Sequence, residues 1–301
     1  MAALIIPPPV LPGATIGVVA PGGAVKPELL ERGVAWLEAH GFRVRVGAHV
    51  LARQRYCAGT PAERAADFTA MMADDEVGAV VCARGGYGTT HLLPLLDPAA
   101  LAAHPKLVIG YSDVSPLLGA LVDRCGVVAV HGPMVAGDLA RGLTARAADR
   151  FTTLLASPAA AWREPVAEWL RPGVATGRLA GGCLSSLVAL LGTPYALRTD
   201  GAVLFLEDVR ERPYRLHRML THLRLAGKLE RVAAVVLGSF AECDGGDDDR
   251  ADDVFRDFFA GASFPVVAGF PAGHLSENLP FALGLPFRVD TQAGVVEALG
   301  A

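Results

Sequence analysis

Short apolar, β-branched runs alternate along the first half of the chain with longer segments whose apolar positions recur at helical spacing. Residues 15–20, 42–46, 77–83, 107–110 and 127–131 read as strands, and residues 26–40, 61–74 and 114–124 as the helices between them. Strands that are apolar along nearly their whole length, separated by helices, are the pattern of a parallel sheet covered on both faces. The pattern weakens over 141–173, where Ser157-Pro158, Glu164-Pro165 and Arg171-Pro172-Gly173 act as breakers. Beyond it, residues 176–180, 202–206, 232–237, 266–270, 287–289 and 295–299 read as strands, with helices at 184–191 and 212–226. The close spacing of the last strands predicts antiparallel pairing, hence a mixed sheet. The expected fold class is therefore α/β in two parts: a parallel-sheet domain over 1–140, a linker over 141–173, and a smaller domain over 174–301.

Composition narrows the function classes. At 301 residues the chain is long for one core. Hydrophobic residues reach 52%, but much of this is alanine, and no run approaches the roughly 20 apolar residues of a membrane helix. A formal net charge of -4 with scattered basic residues argues against nucleic acid and for a small soluble partner. The first ten residues are apolar but lack a preceding basic residue and are broken by Pro7-Pro8-Pro9, so they fail as a secretory signal. Five widely spaced cysteines without a Cys-x-x-Cys pair read as reduced, mostly buried thiols of a cytosolic protein. The acidic run at 244–249 lacks the closing glutamate of a calcium loop and reads as a solvated loop.

Loops after strands carry the candidate chemistry, because binding sites of such sheets lie at the carboxyl ends of the strands. Ser112, in Gly110-Tyr111-Ser112-Asp113, lies on a tight turn between a buried strand and a helix. A hydroxyl there projects beside the helix's free backbone N–H groups and suits a nucleophile; alternatively Ser112 or Asp113 simply caps the helix. The stretch Arg84-Gly85-Gly86-Tyr87-Gly88 can turn backbone N–H groups toward one point, as an oxyanion hole, a phosphate loop or merely a sharp turn. The amides of Gly86 and Asp113 are the candidate oxyanion donors. His274, in an open loop of small residues, is the candidate base, with His131 its rival. His217 and His222, five apart on one helix, do not fit a metal pair. Glu207 ends an apolar strand, where a carboxylate is costly unless it is paired; its partner is either a histidine ring or one of Arg210, Arg212 and Arg215.

At these same places the chain resembles the muropeptide L,D-carboxypeptidases, the serine peptidases that also include the microcin-immunity peptidases. The matching stretches are 12–21, 58–60, 63–65, 83–88, 109–113 and 131–134, then Gly181-Gly182 with Leu184, 190–195, 204–209, Tyr214-Arg215, and Gly273-His274 with Asn278. The resemblance implies that Ser112 attacks, His274 is the general base, Glu207 orients it, and the Gly86 and Asp113 amides hold the oxyanion. It further implies an N-terminal Rossmann-like (flavodoxin-like) domain, a smaller swivelling C-terminal domain, a cytoplasmic setting, a homodimer, and neither metal nor cofactor. Cys183 stands where the family usually has asparagine. No aromatic insertion lies between Pro172 and Gly182, which favours the cell-wall branch. The expected activity is removal of the terminal D-alanine from a cytoplasmic murein tetrapeptide, with no nucleic acid or membrane partner. Arg84 is the candidate for holding the substrate's terminal carboxylate. A peptidase acting on a peptide antibiotic, a non-catalytic ligand-binding relative, and a thiol enzyme using Cys183 are the alternatives.

Overall fold

The computed structural model describes residues 4–246 and 249–300. The chain forms two compact units: Met1–Pro158 with Leu279–Leu283, and Ala159–Asn278 with Gly284–Ala301.

The first unit is built on a parallel sheet. Its strands are β1 (Thr15–Val19), β2 (Arg43–Val46), β3 (Val77–Cys82), β4 (Leu107–Gly110) and β5 (Ala129–His131). They lie in the order β2-β1-β3-β4-β5, all parallel. This is the flavodoxin-like order, whose direction of winding reverses between β1 and β3, so the loops after those strands and β4 are where a ligand belongs. Every residue of β1 and β4 is buried, as strands covered on both faces require. The helices are α1 (Pro27–Ala39), α2 (Pro61–Ala73), α3 (Pro98–Ala103), α4 (Ser115–Ala120) and α5 (Ala145–Ala156). Helix α2 starts where its sequence says it should. Thr60 Oγ1 accepts from the Glu63 amide, and the Glu63 carboxylate accepts from the Thr60 amide at 2.7 Å, with Pro61 at the first helical position.

The second unit contains β6 (Trp162–Pro165), β7 (Glu168–Arg171), β8 (Val174–Cys183), α6 (Leu184–Val188), β9 (Ala202–Val209), α7 (Pro213–Leu225), β10 (Ala234–Ala241), α8 (Ala251–Phe259) and β11 (Val266–Ala268). Strand β12 (Phe281–Leu283) follows but pairs antiparallel with β5, closing an edge of the first sheet. The chain then returns to β13 (Pro286–Asp290) and β14 (Val295–Ala298). The second sheet runs β6-β14-β13-β8-β9-β10-β11-β7. Its centre, β8 to β11, is parallel and its flanks are antiparallel. Leucines and phenylalanines of α6, α7 and α8, among them Leu187, Leu216, Leu220 and Phe255, pack with Leu204 and Leu206 into one core cluster.

Several elements differ from those the sequence pattern predicts. The 141–173 segment, read above as a linker, holds α5, β6 and β7, because a proline at a strand edge interrupts periodicity without preventing pairing. The helix expected at 114–124 is α4 continued by a π-helical turn, Leu121–Cys125, that ends on Gly126 at φ +67°. Gly181 and Gly182, beyond the end of the strand expected at 176–180, lie inside β8. A Cβ on Gly181 would fall 1.9 Å from the Phe205 carbonyl oxygen, so glycine is what lets β8 approach β9. In the acidic run, the Asp244 carboxylate accepts from the Ala251 amide at the start of α8, and Asp247 and Asp248 lie outside the described residues.

Candidate active site

Ser112 sits two residues beyond the end of β4, in the short turn Ser112–Val114 that leads into α4. Its φ of +62° lies in the left-handed region. For a residue with a Cβ this costs of order 1–2 kcal/mol, and such strain concentrates at functional turns. Gly110 lets the turn close: a Cβ there would come within 2.9 Å of Val114. Gly85 lies directly against the serine, where a Cβ would meet Ser112 Oγ at 3.0 Å and the Asp113 amide nitrogen at 3.3 Å. The glycine stretch after β3 and the serine turn after β4 are thus neighbours, with Gly86 (φ +101°) and Gly88 (φ +125°) in conformations that suit glycine.

This loop is pinned by groups below it. The Asp113 carboxylate is buried and accepts from the Thr89 amide at 2.9 Å and the Thr89 hydroxyl at 2.8 Å. Burial pushes the Asp113 carboxyl upward from its ordinary range, and the hydrogen bonds from Thr89 oppose that shift. Arg64, buried on α2, donates through Nη1 to the carbonyls of Pro21 and, at 2.8 Å, of Gly88. It ties the loop after β1 to the loop after β3. Arg84 is exposed, and its Nη1 donates to the Ala24 carbonyl at 2.9 Å.

In the second unit, Glu207 lies on β9, opposite Cys183 of β8, with no exposed surface. Its Oε2 is 2.6 Å from His274 Nδ1, whose side chain is 19% exposed. With the Nδ1 proton directed at the carboxylate, Nε2 keeps a lone pair to accept a proton. Burial raises the Glu207 carboxyl above its usual range, and the His274 hydrogen bond pulls it back. Among the described residues its other oxygen, Oε1, has no hydrogen-bond partner. The loop carrying His274 fits closely over this carboxylate. Gly273 has φ +109°, and a Cβ on it would fall 2.7 Å from Glu207 Oε2. The Gly273 amide donates to buried Asn278 Oδ1 at 2.8 Å. Of the arginines considered as partners for Glu207, Arg210 pairs instead with Glu242 and Arg215 with Glu211.

The rival residues sit elsewhere. His131 is fully buried, its ring stacked on Phe281 at 4.9 Å and tilted toward Tyr111 at 5.5 Å, which is a core position. His217 meets the Phe258 ring edge-on at 6.2 Å. The Cys183 thiol is buried, 3.6 Å from Asp208 Oδ1 and 3.4 Å from Ser185 Oγ. Burial first, then the neighbouring Glu207 and Asp208, pushes it upward and disfavours the thiolate a nucleophile needs. No group of three or more His, Cys, Asp or Glu among the described residues is arranged to hold a metal ion. No helix among them is long and apolar enough to cross a membrane.

The structure therefore brings Ser112 together with the glycine stretch and Asp113, and Glu207 together with His274. The serine belongs to one unit and the pair to the other. Arg64, Thr89 and Asn278 support these sites and were not singled out for chemistry in the sequence. Arg64 and Asn278 lie within stretches of the family resemblance, the one signal pointing at them; nothing marked Thr89.

The first unit thus carries a strained serine at the end of a parallel strand beside a glycine turn, and the second a buried carboxylate on a histidine; each is an arrangement that serine hydrolases use. Residues 16–132 match the LD-carboxypeptidase N-terminal domain and residues 176–289 the LD-carboxypeptidase C-terminal domain, and the chain belongs to this family of serine carboxypeptidases. A Streptomyces coelicolor relative is 41% identical over 303 residues, covering 98% of this chain and 96% of its own. The murein tetrapeptide carboxypeptidase of Pseudomonas aeruginosa is 35% identical over 288 residues, 89% of this chain and 91% of its own. Among solved structures, the muramoyltetrapeptide carboxypeptidase from Oxalobacter formigenes superposes with a TM-score of 0.87 at 32% identity, over 94% of this chain and 97% of that one.

Proposed function

We propose that the protein removes the terminal D-alanine from murein tetrapeptides, with Ser112, His274 and Glu207 acting as one triad. The observation that carries this is the 2.6 Å contact between His274 Nδ1 and the fully buried Glu207 carboxylate, the arrangement that keeps an imidazole in the tautomer able to take a serine proton. Ser112 Oγ attacks the carbonyl carbon of the scissile peptide bond as His274 Nε2 takes its proton. The developing oxyanion is held by the amides of Gly86 and Asp113. The tetrahedral intermediate collapses as His274 returns that proton to the amine of the departing alanine, leaving an acyl-serine. Water, activated by the same imidazole, then hydrolyses the ester. Glu207 keeps its charge throughout and stabilises the imidazolium. Arg84, beside the glycine stretch, supplies positive charge for the substrate's terminal carboxylate. The names of the Pseudomonas and Oxalobacter relatives support the substrate class. A cytoplasmic location, a place in cell-wall peptide recycling and a homodimer complete the proposal.

The test offers purified protein three peptides and follows released alanine by mass spectrometry: the tetrapeptide ending in D-alanine, its L-alanine epimer, and the pentapeptide ending in D-Ala-D-Ala. Release from the first alone is the expected result. Equal release from both epimers, or faster cleavage of the pentapeptide, removes the murein assignment even if Ser112 proves to be the nucleophile.

A further inference from the structure

The loop that carries Gly86 also carries Tyr87, a residue 51% exposed. A ring of that size in solvent would ordinarily be free to move, yet this one is held on several sides. The Tyr87 carbonyl accepts from the Cys57 thiol at 3.4 Å, and the next carbonyl, of Gly88, accepts from buried Arg64 at 2.8 Å. Tyr56, itself 60% exposed, meets the Tyr87 ring at 5.7 Å, and the His91 ring stands edge-on to it at 5.3 Å.

Proton placement in this cluster follows from Arg64. A guanidinium has donors only, so its Nη2, 3.4 Å from His91 Nδ1, requires that nitrogen to accept. In neutral His91 the proton then sits on Nε2, which is 3.3 Å from the Tyr87 hydroxyl oxygen. That oxygen is the acceptor, and its own hydrogen points away from the histidine. In this arrangement the Tyr87 O–H is left to donate to a ligand, from the residue that follows the proposed oxyanion amide. Arg84 also lies beside Gly86: a Cβ on Gly86 would be 3.7 Å from its Nη2. A hydroxyl donor and a positive charge carried by the same loop suit an anionic oxygen pair, and a hydrogen bond from a pre-ordered group loses little entropy on binding.

We propose that the Tyr87 hydroxyl, aimed by Arg64 and His91, receives the terminal carboxylate of the peptide substrate, with the Tyr56 ring as the wall beside it. This rests on the carboxypeptidase reading above. In it Tyr87 is a binding residue and His91 a positioning residue.

The experiment compares the unmodified protein with Tyr87→Phe, which keeps the ring and removes only the hydroxyl. Each is given the tetrapeptide as its free acid and as its C-terminal amide. Loss of a hydrogen bond to a charged group should raise KM for the acid about tenfold, with kcat within about twofold and the rate of Ser112 labelling by a fluorophosphonate unchanged. For the amide, the difference between the two proteins should vanish. His91→Phe, which keeps an aromatic ring but breaks the relay, should raise KM for the acid by a smaller factor of about three. Equal KM values for the acid in a protein that cleaves it, or an equal effect on acid and amide, would overturn the assignment of Tyr87 alone. A fall in kcat and in serine labelling at constant KM would assign Tyr87 to the shape of the loop instead. An unmodified protein that releases no alanine from the tetrapeptide overturns the carboxypeptidase reading itself, and this proposal with it.

Discussion

The two halves of the proposed triad are built from different materials. The serine half is a backbone device: a left-handed Ser112, glycines whose missing side chains make room for it, and Asp113 and Arg64 holding the adjoining loop. The histidine half is an electrostatic device, a carboxylate without solvent contact balanced by one imidazole. Conformational strain is local and does not respond to pH. A buried charge does, and it is expensive unless paired. Each half can therefore be perturbed in a way that leaves the other unaffected.

The largest effect is expected at Ser112. Ser112→Ala should lower turnover by roughly 10⁴ or more, because members of a triad fail together. Ser112→Gly should be as inactive and yet more stable than the parent by about 1 kcal/mol, since glycine takes the left-handed conformation without penalty. Urea denaturation and an alanine-release assay on the same preparations check both. A Ser112→Gly protein less stable than Ser112→Ala would contradict the strain assigned to this turn.

Next comes Glu207. Glu207→Ala should cost about 10³ or more in turnover, and Glu207→Gln less, as the amide oxygen can still accept the ring N–H. Its pH signature separates the two halves. A carboxyl whose pKa is raised on folding keeps its proton in the folded state after the unfolded chain has lost it. Its contribution to stability therefore falls as pH rises from about 4.3 toward the raised value. Relative to Glu207→Gln, the parent should lose stability as pH rises above about 4.3, as read from denaturation midpoints. Ser112→Ala should show the parent's pH dependence unchanged. A parallel pair of curves for Glu207→Gln and the parent would sink the claim that burial dominates at this carboxylate.

Asp113→Asn should be milder. Its side chain keeps an acceptor for one Thr89 donor while losing the charge, so a stability loss of about 1–3 kcal/mol and a fall in kcat of about tenfold are expected, with KM little changed. If KM rises instead while kcat holds, the loop serves substrate binding more than oxyanion stabilisation.

What was legible in the sequence follows the same division. The parallel sheet was visible because β1, β3 and β4 are apolar along nearly their whole length, and Ser112 was visible because a strand, a turn and a helix meet there. Glu207 drew attention as a charge ending an apolar strand, and the structure gives it the histidine partner rather than an arginine. Long-range geometry was not legible. Nothing local in Phe281–Leu283 reveals that three residues from late in the chain complete the first sheet. Prolines hid β6 and β7, and the continuation of β8 through its glycines was not visible because the reason for them, the Phe205 backbone, is 24 residues from Gly181 in sequence. Arg64 was invisible as a clamp, since one arginine on a helix looks like a surface residue until its carbonyl partners are located.

The smallest effect is expected at Cys183, and it tests whether the electrostatic half tolerates a neighbour unlike the family's usual asparagine. The thiol touches Asp208, and Asp208 already has a role: its Oδ2 accepts from the Ser185 amide at 2.7 Å, at the start of α6. The sulfur is thus a weak extra donor to a carboxylate that is otherwise satisfied, so Cys183→Ser should keep activity within about threefold. Cys183→Asn adds an amide beside both Glu207 and Asp208 and has more to rearrange. Burial also makes the thiol slow to react, and iodoacetamide at neutral pH should leave Cys183 unlabelled in the folded protein while labelling it in urea. Rapid labelling of the folded protein together with loss of turnover in Cys183→Ser would mean that the sulfur is accessible and chemically engaged, and the serine assignment would have to yield to it.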